Sequence, residues 1–198
     1  MEDEDLIILD YFKNVKDGFY VDAGCYHPIH LNNTFLLHSK GWKGINIDLS
    51  EYSIDLFNYL RPDDININAA VSNTNEKVKF YYQKKLSQLT TLKKDVSRRR
   101  MQGHIKEKTI NAYTLDAIIG NTKFKNKRID FLNIDIEGAD FEALTSLNFS
   151  VYRPKTICIE IDAPDIASSK AYRFLKNLDY KKIWSSKSDI SHIFVKNF

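Results

Sequence analysis

Glycine is scarce in this chain, with seven residues in 198. The three-glycine loop that seats a dinucleotide pyrophosphate is absent, because Tyr26 and Pro28 stand where its glycines would be needed. Cysteine is scarcer still: Cys25 and Cys158 are the full set. Two cysteines in apolar strand segments argue against a disulfide framework and against cysteine-based metal sites, and read as packing residues. No apolar run reaches the roughly 18 residues needed to cross a bilayer. The opening Met1-Glu2-Asp3-Glu4-Asp5 is too acidic for a secretion signal, so the expected location is cytoplasmic. No internal repeat or low-complexity segment is present.

What remains is a globular composition, 43% apolar and 28% charged. The length predicts a single domain over 1–198 with a substantial core. The net charge of +3 is uneven. Lys93 to Lys108 carries seven basic residues against Asp95 and Glu107, and Lys123, Lys125, Lys127 and Arg128 follow. The plain reading is solvated loops. The sharper one is a basic rim that attracts an anionic substrate, with Arg98 and Arg99 as candidate contacts.

Hydrophobic periodicity alternates between strand and helix. Residues 3–14, within an N-terminal 1–17 segment, predict a helix on Leu6, Leu9 and Phe12. Strands are predicted at 19–23, 45–48, 65–69, 77–82, 131–136 and 156–161, and a closing pair near 181–186 and 191–196. Helices are expected near 34–40, ended by Gly41 in a left-handed conformation; after Ser50, ended by Pro62; after Thr114; after Gly138; and after Ser168 or Ser169. Residues 84–108 are polar, basic and aperiodic, and predict a mobile loop or lid. The fold class is α/β, with a mostly parallel sheet, helices on both faces and an antiparallel C-terminal hairpin.

Two strands end in acids. Phe131-Leu132-Asn133-Ile134-Asp135-Ile136-Glu137-Gly138 runs from a buried strand into a helix, and Asp135 interrupts its apolar run. A carboxylate there is costly unless paired or used. Phe19-Tyr20-Val21-Asp22-Ala23-Gly24 repeats the plan upstream, and Asp48 ends the second strand. In open α/β sheets, ligands bind at the carboxyl edge of the strands. Asp48 can accept both ribose hydroxyls of an adenosyl group, or cap the helix after Ser50. A cofactor without phosphates, such as S-adenosylmethionine, makes weaker demands on the loop after Gly24.

Asp22-Ala23-Gly24, Asn32-Asn33-Thr34, Gly41-Trp42-Lys43-Gly44-Ile45-Asn46-Ile47-Asp48, Asn68-Ala69-Ala70-Val71-Ser72, Thr114-Leu115-Asp116 and Ile134-Asp135-Ile136-Glu137-Gly138 occur in that order. In these blocks the chain resembles FkbM-type methyltransferases over roughly residues 18–162. The resemblance implies a class I, Rossmann-like methyltransferase fold with a seven-stranded sheet. It also implies S-adenosyl-L-methionine as cofactor and O-methylation of a sugar or similar hydroxyl, hence carbohydrate modification. By resemblance, Asp22 and Gly24 line the methionine side, Asp48 takes the ribose, Ala69, Ala70 and Val71 lie near the adenine, and Asn33 or Thr34 contacts the cofactor. The loop Cys25-Tyr26-His27-Pro28-Ile29-His30 departs from the small, glycine-containing loop of the family.

Methyl transfer from a sulfonium is mainly a matter of alignment, but a sugar hydroxyl must lose its proton to a base. Asp135 is the first candidate, then His30 and His27 in the loop beside the cofactor. Asp135, Glu137, Glu160 and Asp162 are expected to meet at one sheet edge, with Glu137 and Glu160 facing substrate. Like charges that close call for a metal, a proton or a cation; helix capping and solvent exposure explain them as well, and no essential metal is expected. Two other readings stay open. A nucleic-acid 2′-O-methyltransferase is prompted by Arg98-Arg99-Arg100, but the basic run lacks interleaved aromatic residues, so nucleic acid is a disfavoured partner. A catalytically silent cofactor-binding domain is prompted by Pro28. The acceptor is expected to be a small molecule or glycan bearing a hydroxyl.

Overall fold

The computed structural model describes residues 2–197. The chain runs α1 (Glu4–Tyr11), β1 (Phe19–Ala23), α2 (Phe35–Ser39), β2 (Lys43–Asp48), α3 (Glu51–Leu60), β3 (Ile65–Asn68), β4 (Ala70–Val71) and β5 (Lys77–Tyr82). It continues through α4 (Lys94–Arg100), β6 (Lys106–Tyr113), α5 (Leu115–Gly120), β7 (Phe131–Ile134), α6 (Asp140–Thr145) and β8 (Thr156–Glu160). A 3-10 turn at Ile166–Ser168, α7 (Lys170–Asn177), β9 (Tyr180–Ser185) and β10 (Ser191–Lys196) complete it.

Seven strands form the main sheet in the order β3-β2-β1-β7-β8-β10-β9. The first five are parallel, and β10 runs antiparallel to both β8 and β9. The parallel strands alternate with helices, and β9 and β10, which have none between them, close as the expected hairpin. Alternation along each strand divides the core between two faces. Phe19, Val21, Ala23, Leu132 and Ile134 pack with Leu115, Ile119, Leu144 and Leu175 of α5, α6 and α7. Tyr20, Phe131 and Cys158 face the other way, against Ile8 of α1, Leu37 of α2, and Trp42. Cys25 and Cys158 are buried and unpaired, in keeping with the packing role expected of them.

Caps fall where the sequence predicts them. Ser50 accepts from the Ser53 N–H, Thr114 from the Ala117 N–H and Ser169 from the Tyr172 N–H. Gly41 has φ of 92° and closes α2 through a bond to the His38 carbonyl. Among the described residues, no helix is long and apolar enough to cross a membrane.

Three expectations change. The third strand ends at Asn68, and Ala70–Val71 crosses into a separate three-stranded sheet of order β4-β6-β5. Strand β6 in that sheet was read partly as loop. Its sequence, Lys-Glu-Lys-Thr-Ile-Asn-Ala-Tyr, is exposed along most of its length and carries no apolar alternation. Its ladders to β4 and β5 hold it in place. Finally, the aperiodic 84–108 stretch contains α4, with Val96 and Ser97 buried beneath it, and a bridge between Thr91 and Tyr81.

Candidate active site

A cleft of about 230 Å³ opens at the carboxyl edge of β1, β2 and β7. Asp22, Gly24, Asn33, Asp48, Ala69 and Val71 line one end, and Asp135, Glu137 and Glu160 line the other. Residues Ser87 to Thr90, with Leu92, roof it. They fall in the 84–108 stretch predicted as a mobile loop or lid, though none stands out individually, because that stretch carries no periodic signal.

The β1 end rests on a buried polar network. Asp22 is fully buried; its carboxylate accepts from Asn32 Nδ2 at 3.1 Å, Thr34 Oγ1 at 2.9 Å and Asn133 Nδ2 at 2.9 Å. Burial raises its pKa, and these three donors together with the nearby Arg61 charge oppose the rise. Arg61, 2% exposed, donates to Thr34 Oγ1 at 2.9 Å, Asn32 Oδ1 at 2.8 Å, Tyr20 Oη at 3.2 Å and the Pro28 carbonyl. Its guanidinium also sits 4.9 Å from the centroid of the Phe57 ring. Tyr20 passes the chain on to Asp64, which accepts from Gly44 N–H at 2.9 Å. Arg61 and Asn133 were missed as site-building residues. An arginine before Pro62 and an asparagine within a strand show nothing in sequence of the groups they meet.

Asp48 stands between the network and the cleft. One oxygen accepts from the Tyr26 N–H at 2.9 Å and the other from the Ser50 N–H at 2.7 Å. Asp48 thus makes a turn onto Ser50, which is itself the cap of α3, and lines the cleft as well. Burial pushes its pKa up to about 6, against the pull of those two N–H groups. Asn33 reaches across to Asn133 Oδ1 at 3.0 Å, while its own Oδ1 is buried without a partner. Thr34 and Ala70 do not line the cleft: Thr34 is turned inward to Asp22, and Ala70 pairs with Ala112 in the second sheet.

Gly24 has φ of 86°, and a Cβ there would lie 1.8 Å from the Asp135 carbonyl oxygen. The glycine admits a close approach, as expected, but the group approaching is the turn after β7. The Asp135 N–H also donates to the Ala23 carbonyl at 3.0 Å.

The histidines do not join the cleft. Tyr26 has φ of 54°, its N–H is tied to Asp48 and its carbonyl to Ser53, so the loop is drawn toward α3. His30 is exposed. His27 Nδ1 accepts from the Ile29 and His30 N–H groups at 3.1 and 3.0 Å. Burial lowers its pKa. Neither is positioned as a base.

The opposite end gathers carboxylates. Strands β7 and β8 end at Ile134 and Glu160, so Asp135 and Glu137 lie in the following turn, Glu137 with φ of 57°. Alternation along a strand is therefore not what joins them, yet Asp135, Glu137 and Glu160 place carboxylate oxygens within 4.8 Å of one another. Asp135 is reached by solvent from the cleft but is surrounded by protein and charge. Desolvation, then Glu160, Asp140, Glu137 and Asp22, push its pKa well above the carboxylate range. Glu160 rises to about 7 by burial and by Asp140 and Glu137, against Arg100. The fourth acid, Asp162, stays at the exposed rim and pairs with Arg100 Nη2 at 3.6 Å.

Arg100 is the cation of this edge. Its Nη1 binds the Glu137 carboxylate, and Thr91 Oγ1 donates to the Glu137 carbonyl at 2.7 Å. Helical spacing buries Val96 and Ser97 and brings Arg100 onto Glu137, while Arg98 and Arg99 stay exposed. Arg98 and Arg99 line no part of the cleft, and Arg99 lies 3.9 Å from Asp95. The residue that reaches the acids is their neighbour.

A mostly parallel α/β sheet with a terminal antiparallel pair and a cleft at its carboxyl edge is a methyltransferase-like architecture. The methyltransferase FkbM domain model matches residues 22–182, so the chain belongs to the FkbM methyltransferase family. No curated protein and no solved structure matched the chain.

Proposed function

We propose that this protein is an S-adenosylmethionine-dependent O-methyltransferase with a class I fold that acts on a sugar or glycoconjugate hydroxyl. One observation carries the reading: a single cleft joins Asp48, at the end of β2, to Asp135, just beyond β7. The donor set suits the cofactor. Each Asp48 oxygen holds one N–H bond and keeps a lone pair for a ribose hydroxyl. Ile47, Ala69 and Val71 offer a small apolar wall for a flat base, and Asn33 Oδ1 is a buried acceptor in want of a donor. The carboxyl oxygens of Asp22, Asp135, Glu137 and Glu160 give the cleft an acceptor-rich wall that favours a sulfonium.

When bound, the cofactor supplies an activated methyl group. Asp135 takes the acceptor's proton: desolvation and Glu160 hold its carboxyl above the ordinary range, and its ionised form, which a bound sulfonium favours, is a stronger base than a solvated carboxylate. Asp22 and its donors hold β1 in register, and the roof from Ser87 excludes water.

Calorimetric titration with S-adenosylhomocysteine tests the cofactor claim. Asp48→Ala should weaken binding about 10-fold, the worth of a ribose contact of about 1.4 kcal/mol; an unchanged affinity removes Asp48 from that role. Labelled methyl groups should appear on carbohydrate oxygen in an acceptor panel. Label on nucleic acid or nitrogen alone would overturn the acceptor class.

A further inference from the structure

Three further cavities share residues with the cleft; one meets it only at Leu92, in the roof, and the other two lie one on each side. The first of these two shares Leu49 and Thr90 with it, on the Asp48 side, and is lined by Tyr52, Phe80, Tyr82 and Lys85. The second, about 600 Å³, shares Glu160, on the Asp135 side. It runs between α4 and the β8–α7 connection. Arg100 lines this groove and Glu137 lines the cleft, so their ion pair is the partition between the two spaces.

We propose that this second groove is the acceptor subsite, and that its occupant is a polyhydroxylated ring. The proposal rests on the methyltransferase reading above and names where its substrate sits. Position decides between the two cavities. A hydroxyl must reach Asp135, and the oxygens of Glu160, in the groove wall, lie within 4.8 Å of those of Asp135. The other cavity opens beside the residue assigned to the ribose, at the far end of the cleft.

The lining chooses the occupant. Lys93, Arg99, Arg100 and Lys170 share the lining with Asp95, Asp140, Glu142, Glu160 and Asp162, so donors and acceptors are mixed with little net charge. Phe141, half-buried, and Ala163 add an apolar patch. A sugar ring presents this combination: hydroxyls that donate and accept around its edge, and a face of C–H groups that packs on an aromatic side chain. A polyanion would meet the five acids and a polycation the four bases. An extended apolar ligand would strand both sets without partners.

Saturation-transfer NMR with S-adenosylhomocysteine present, on a mixture of neutral, amino and uronic methyl hexosides, tests this. The wild type should show ring-proton signals. Ala163→Trp fills the groove from a residue outside the cleft, and should cut those signals at least 5-fold while calorimetry finds S-adenosylhomocysteine affinity within 2-fold of wild type. Tyr52→Ala, in the other cavity, should leave them intact. Signals that survive Ala163→Trp, or that vanish in Tyr52→Ala instead, overturn the placement. Absence of any hexoside signal on the cofactor-bound protein overturns the ring. Failure of the wild type to bind S-adenosylhomocysteine overturns the methyltransferase reading itself, and is recorded separately by the calorimetry.

Discussion

Both ends of the cleft contain buried acids, and they treat them in opposite ways. At the β1 end, Asp22 receives three side-chain donors, and Arg61 lies behind it within the same network. At the β7–β8 end, Asp135, Glu137 and Glu160 crowd together, and Arg100 bonds directly to only one of them. The first arrangement spends its polar groups on one another and makes a rigid floor. The second leaves charge uncompensated, and protons become easy to move. A buried acid is therefore not by itself a sign of chemistry; the difference lies in how completely its lone pairs are met.

The two arginines give the sharpest way to break this contrast. Arg61→Ala strands the Asn32, Thr34 and Pro28 acceptors in the core and should cost about 3 kcal/mol or more of stability. Arg100→Ala acts on a pair whose arginine is a third exposed, and should cost below about 1 kcal/mol. Urea unfolding of both variants measures the gap. Equal losses would mean that the β7–β8 edge is as structural as the floor.

Asp135→Asn keeps shape and removes charge. Turnover should fall about 10²-fold, with S-adenosylhomocysteine affinity retained. The matching change at the other end, Asp22→Asn, should lower melting temperature together with cofactor affinity. Near-normal turnover in Asp135→Asn would pass the role of base to Glu160.

The pH dependence of stability separates the ends more finely. Asp135 and Glu160 have raised pKa values in the folded protein, so near neutrality the folded state holds protons that the unfolded state has released. Stability therefore falls as pH rises through these folded values. His27, His38 and His192 have lowered values and are largely neutral in both states above pH 7. From pH 7 to 8 the cofactor-free melting temperature should drop, by roughly 1 °C from Glu160 alone. Glu160→Gln should flatten the slope. The smallest effect belongs to the exposed arginines: Arg98→Ala with Arg99→Ala should change stability by less than about 0.5 kcal/mol.

Much of this plan could be read from the chain. Acids at strand ends, caps at Ser50, Thr114 and Ser169, and the β9–β10 hairpin all depend on local pattern, and local pattern survives in sequence. Asp22, Gly24, Asp48 and Asp135 were found because they break or end an apolar run. Arg61 and Asn133 were not, since their roles come from groups far along the chain, such as Asn133 meeting Asp22 111 residues away. Three consecutive arginines look alike in sequence; the helix, whose buried side is marked by Val96 and Ser97, brings Arg100 onto Glu137, sets Arg99 in the adjoining groove and leaves Arg98 in neither cavity. His27 and His30 were misjudged because proximity in sequence to Gly24 is undone by the positive φ at Tyr26.

The backbone contact between Gly24 and the Asp135 carbonyl separates two kinds of variability. With the bond from the Asp135 N–H to the Ala23 carbonyl, it seats the loop that follows β1 on the turn that carries Asp135, so the spacing between them is set by main chain. The walls beyond that clamp, from α4 and the start of α7, contribute side chains only. Substitution in α4 and α7 can therefore reshape the groove without moving the β1 loop against the turn that carries Asp135.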